Sequence, residues 1–67
     1  MLEILKQNIG HKLILIYQEG TENETHSVGG IIRDANENFV LVETDNKRKV
    51  WIKPETIIKV KEVQEMV

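Results

Sequence analysis

Three groups of side chains in this sequence are chemically equipped to bind or react. Lys49, Trp51 and Lys53 stand at alternate positions of a β-like segment. Successive side chains of a strand point to opposite faces, so these three share one face. A tryptophan between two cations suits stacking of a nucleobase beside its phosphate. Packing of Trp51 on a neighbouring subunit or on the core, with its N–H bonded, is the other reading. Asn36, Asn38 and Phe39 form the second group. The two amides offer both donor and acceptor to base edges, and asparagine also tolerates the left-handed geometry of turns. Phe39, alternating with Leu41 toward one side, reads as core as well as stacking platform. His11 and His26 are the third group. No third ligand stands at metal-binding spacing from them, and the chain has no cysteine for a thiolate site or a disulfide.

Nucleophilic triads and paired carboxylates are not suggested by any spacing. Gly29-Gly30 lacks the strand-to-helix context of a phosphate-cradling loop. The chain is therefore read as a non-enzyme that needs no cofactor and no metal.

Charge narrows the partner. The net charge is −2 at pH 7 and the pI about 5.6, whereas bulk-charge nucleic-acid binders have pI above about 9. The charge is nevertheless uneven. Residues 1–45 hold three basic residues against eight acidic, and residues 46–67 hold six basic (Lys47, Arg48, Lys49, Lys53, Lys59, Lys61) against three acidic. A polar anion thus has one favourable region on an acidic molecule. Lys47 to Lys49 as a solvated turn, and Lys59 and Lys61 blunting a strand edge, account for the same pattern without a ligand. The longest apolar run, Leu13 to Tyr17, is far short of the ~20 residues that span a bilayer. With polar residues among its first eight, the sequence reads as a soluble, cytoplasmic protein with no membrane partner.

The elements that must position these groups begin with a short amphipathic helix. Leu2, Leu5 and Ile9 recur at helical spacing, and Gly10 closes the segment. Lys12 to Tyr17 is a strand apolar on both faces, for which the helix supplies the second cover. Gln18 to Ser27 reads as a hairpin loop, with an extended exposed ribbon as the alternative. Val28 to Arg33 is a second strand, in which Gly29-Gly30 marks a bend or a close backbone approach. Asp34 to Asn38 is a turn. Phe39 to Thr44 and Arg48 to Lys53 are strands three and four, joined by Asp45-Asn46-Lys47. Pro54 to Thr56 is a single 3₁₀ turn. Ile57 to Val63 is strand five, and Gln64 to Val67 is expected to fray.

A helix followed by five short strands with tight turns predicts one domain over residues 1–67. The expected fold is mainly β, a five-stranded, strongly bent antiparallel small barrel with the helix over one open end. The expected buried set is Leu2, Leu5, Ile9, Leu13 or Ile14, Ile32, Leu41, Val50, Ile52, Ile58 and Val60. A chain of 67 residues buries only about 60% of its unfolded surface, so self-association is the natural supplement.

The order of elements resembles the Sm-like family, which includes LSm proteins and Hfq. Gly30 to Val42 is similar to the family's first motif: a glycine in strand two, a hydrophobic residue two positions on, a polar turn, and an apolar strand three. Lys49 to Ile58 resembles its second segment, with Lys53-Pro54 where LSm proteins carry Arg-Gly and Hfq carries Lys-His. Asn36 stands where the family often has aspartate, and Val40 where LSm proteins have asparagine. The resemblance implies a homo-oligomeric ring of five to seven subunits, closed by strand four of one copy pairing with strand five of the next. It also implies single-stranded RNA held at pore-side loops, involving Asn36, Asn38, Phe39 and Lys53, with Trp51 as a further stacking residue. The competing expectation, favoured by the acidic total and the acidic stretch Glu19 to Glu24, is a small β-barrel adaptor or oligomerisation module with no nucleic-acid role.

Overall fold

The structure is a computed structural model that describes residues 2–20 and 24–63. Its elements run α1 (Leu2–Gln7), β1 (Lys12–Glu19), β2 (Glu24–Ala35), β3 (Val40–Glu43), β4 (Lys49–Ile52), a 3₁₀ turn (Pro54–Thr56) and β5 (Ile57–Glu62). The expected fraying of Gln64 to Val67 lies outside the described residues.

Helix α1 is held at both ends by its own sequence. Glu3 in its first turn and Lys6 in its last complement the helix dipole. The Asn8 side-chain amide donates to the Ile4 carbonyl at 2.7 Å. Gly10 then turns the chain at φ 93°, a conformation that costs glycine little. The Gly10 N–H donates to the Ile32 carbonyl (2.7 Å), and the Ile32 N–H donates to the His11 carbonyl (3.1 Å). The helix exit is thereby stitched to β2.

The five strands form one antiparallel sheet in the order β4-β3-β2-β1-β5. The sheet is open rather than a closed barrel: among the described residues β4 pairs only with β3 and β5 only with β1. The connection between them is a 3₁₀ turn, which supplies no ladder. The twelve-residue β2 organises the sheet by pairing with β1 from Glu24 to Ile31 and with β3 from Ile31 to Ala35. Gly30 sits where it changes partner. A β-carbon there would overlap the Glu43 backbone carbonyl and lie 2.8 Å from Val42 Cγ1. The close backbone approach expected at the glycine pair is thus specific to Gly30.

Much of the segment expected as a loop is strand. Gln18 pairs with Thr25 and Glu19 with Glu24, and these residues are exposed, so the ribbon alternative describes them. Their β-branched and polar side chains suit a two-stranded ribbon with no buried face.

One core serves both layers: Leu5 of α1, Leu13 and Leu15 of β1, Ile32 and Ala35 of β2, Val40 and Val42 of β3, Ile52 and Ile57. The helix therefore packs on the same face as Leu13 and Leu15. It does not cover the opposite face, where Ile14 and Ile16 stay half-buried. Six expected core residues are not in the core. Ile9 is 44% exposed because α1 ends at Gln7 and the exit turn takes residue 9 out of the helical stripe. Leu41 is half-buried because the phase of β3 sends Val40 and Val42 inward. Ile58 is 50% exposed because β5 carries a bulge: Ile57 pairs with Tyr17 and Lys59 with Ile16, leaving residue 58 unpaired. Leu2, Val50 and Val60 are half-buried against the core rather than within it.

Candidate nucleic-acid interface

The alternation of β4 is as the sequence predicts. Ile52 is buried and Val50 half-buried, while Lys49, Trp51 and Lys53 are exposed. Trp51 is 60% exposed, so it neither fills the core nor is hidden. Its cross-strand neighbour is Leu41. β4 is the sheet's outer strand, so these side chains stand along an edge whose backbone has one partner only.

The ion pairs divide the cations in two. Lys12 Nζ lies 3.1 Å from Asp45 Oδ1, and Arg33 Nε lies 2.9 Å from Glu43 Oε2. Among the described residues, Lys47, Arg48, Lys49, Lys53, Lys59 and Lys61 have no carboxylate partner. Apart from Lys6 of α1, the cations without a carboxylate partner among the described residues thus all belong to the basic third of the sequence. Lys47 adopts φ 61° in the β3–β4 turn, where its N–H donates to the Thr44 carbonyl at 2.8 Å.

Asn36, Asn38 and Phe39 form the β2–β3 turn. Asn36 Oδ1 accepts from the Asn38 N–H (2.8 Å) and the Phe39 N–H (3.0 Å), and the Asn36 N–H donates to the Phe39 carbonyl (2.9 Å). Its side-chain oxygen is committed to the turn. Asn38 is exposed and Phe39 half-buried, one residue before β3 begins. The β3–β4 ladder ends with Val40 opposite Ile52, so Phe39 and Lys53, one residue beyond each, flank its last pair. The fold thereby brings the two expected loops together at one end of the β3–β4 pair.

The sequence reading missed the partners of Trp51 and Lys53 from β1. A cavity of about 340 Å³ is lined by Tyr17, Gln18, Glu19, Trp51, Lys53 and Thr56, among others. No one-dimensional spacing links residue 17 to residue 51. They meet because β1 pairs with β5 while the 3₁₀ turn carries β4 directly into β5. The His26 ring lies beside Tyr17 with centroids 5.6 Å apart and planes tilted by 31°, and its Nε2 lies 3.7 Å from Glu24 Oε2. His11 lies apart, in a separate depression beside Lys12 and Glu62.

Among the described residues no cluster of three His, Asp or Glu side chains is placed to hold a metal ion, and no helix is long and apolar enough to cross a membrane. Among the described residues, the fold and site together define a small one-sheet β protein with β4 and β5 as outer strands and an exposed aromatic–cation strip. No family model matches the chain, and no curated protein matches it.

Proposed function

We propose that this chain is an Sm-like, ring-forming protein that binds single-stranded RNA. The observation that carries the reading is Trp51, exposed between Lys49 and Lys53, on an outer strand whose cations have no carboxylate partner among the described residues. Aromatic faces stack on bases of any sequence, and neighbouring cations follow the phosphates. The strand order supports the assembly. β4 and β5 are the two edges, and pairing β4 of one copy with β5 of the next satisfies both while repeating a weak site around a ring of five to seven. On this reading RNA meets Trp51, Lys53, Asn38 and Phe39, and Asn36 shapes the loop that presents them.

One observation favours the adaptor reading: the β1–β2 ribbon sets Glu19 directly opposite Glu24, an acidic tip unsuited to RNA and suited to a basic protein partner. The two are separated by fluorescence anisotropy of labelled U-rich and A-rich RNA at two salt concentrations. RNA binding predicts an affinity that falls with salt, because phosphate contacts release counterions. A folded oligomer without RNA affinity at low salt contradicts it and leaves the adaptor.

A further inference from the structure

We infer that the cavity between the end of β1, the end of β4 and the 3₁₀ turn takes one RNA nucleotide per chain. The base lies against Trp51 and Tyr17, and the 5′-phosphate sits at Lys53. The inference rests on the RNA-binding reading and assigns to it a pocket that an exposed stacking residue alone would not provide. At about 340 Å³ the cavity falls within the range of roughly 300–1,000 Å³ typical of small-ligand sites.

Its lining combines the three kinds of group a nucleotide needs. Two aromatic residues contribute to it, and the Tyr17 ring has His26, its cross-strand neighbour, as a tilted aromatic partner at 5.6 Å. A ring already packed against a neighbour loses less freedom when a base arrives. Polar contacts come from Gln18, whose amide both donates and accepts, and from Thr56. The Thr56 hydroxyl donates to the Lys53 carbonyl at 2.7 Å, which orients its oxygen as an acceptor for a base N–H or a ribose hydroxyl. The same hydrogen bond ties Thr56 to the residue that supplies the cation. Lys53 has no carboxylate partner among the described residues, so its ammonium is available to a phosphate. Among the described residues Glu19 is the one lining group that opposes an anion. Its position predicts that removing its charge strengthens binding.

Trp51 is the only tryptophan, so its fluorescence reports the pocket directly. The intact protein is titrated with uridine and adenosine 5′-monophosphates and with the corresponding nucleosides. Saturable quenching is expected, with the monophosphates bound about tenfold more tightly than the nucleosides through a charge-assisted contact. Lys53→Ala should abolish that tenfold difference. Gln18→Ala and Thr56→Val should each weaken binding about three- to tenfold, and Glu19→Gln should tighten it about twofold. Circular dichroism and the urea midpoint confirm that each variant is folded. RNA binding by anisotropy without mononucleotide quenching overturns the pocket and leaves the RNA-binding reading standing. Quenching that ignores Gln18→Ala and Thr56→Val also overturns it, because the base then stacks on Trp51 outside the cavity. Absence of any RNA binding overturns both.

Discussion

Gly30 of β2 faces the backbone carbonyl of Glu43 so closely that no β-carbon fits between them. That contact lies where β2 leaves β1 and takes up β3. The neighbouring Gly29 has no such restriction: a β-carbon there meets Ile14 Cγ1 at an ordinary 3.5 Å.

Gly30→Ala should therefore destabilise the protein by about 1–3 kcal/mol, because backbone rather than a flexible side chain must move. Gly29→Ala should leave the urea midpoint at or slightly above wild type, since alanine narrows the unfolded ensemble. Urea unfolding of the pair, followed by circular dichroism, checks both.

The glycine pair also shows what could be read from sequence. Two adjacent glycines inside an apolar run announce a close approach or a bend, and the helix, the cores of all five strands, the Pro54 turn and the outward face of β4 follow from spacing and turn chemistry in the same way. Where signals were symmetric, the reading lost its phase. Phe39 to Val42 is apolar at every position, so nothing local distinguishes Val40 and Val42 inward from Phe39 and Leu41 inward. Ile57-Ile58 is equally ambiguous, and a bulge defined by pairing with β1 decides it. The cavity was hidden for a different reason: Tyr17 and Trp51 come to line it through the pairing of β1 with β5 and the 3₁₀ turn that joins β5 to β4, neither of which leaves a local spacing.

The β3–β4 turn holds a non-glycine residue in the left-handed region, Lys47 at φ 61°. That conformation costs an L-residue about 1–2 kcal/mol, partly offset in a glycine variant by about 0.5–1 kcal/mol of lost chain entropy. Lys47→Gly should raise stability by about 0.5 kcal/mol, read as a higher urea midpoint.

Asn36 and Asn38 should separate cleanly. Asn36→Ala removes the acceptor of two backbone N–H groups and should cost about 1–2 kcal/mol. Asn36→Asp keeps an acceptor and should restore most of it. Asn38→Ala should change stability by less than about 0.5 kcal/mol, so any loss of RNA affinity in that variant reports contact rather than folding.

Trp51→Ala tests the stacking surface with little structural interference. The ring is 60% exposed, and its pair with Leu41 is worth about 0.2–1 kcal/mol. RNA affinity should fall by about 1–3 kcal/mol for each base stacked on it. Leu15→Ala is the opposite case: it empties a fully buried site, costs about 2–5 kcal/mol and should leave so small a domain largely unfolded.

Assembly is the claim on which the rest depends, because a ring places both outer strands in partnership and multiplies one modest site. Sedimentation velocity at tens of micromolar measures it in one step. The account predicts a single species of five to seven times the 7.8 kDa chain mass. A stable monomer at that concentration would contradict it.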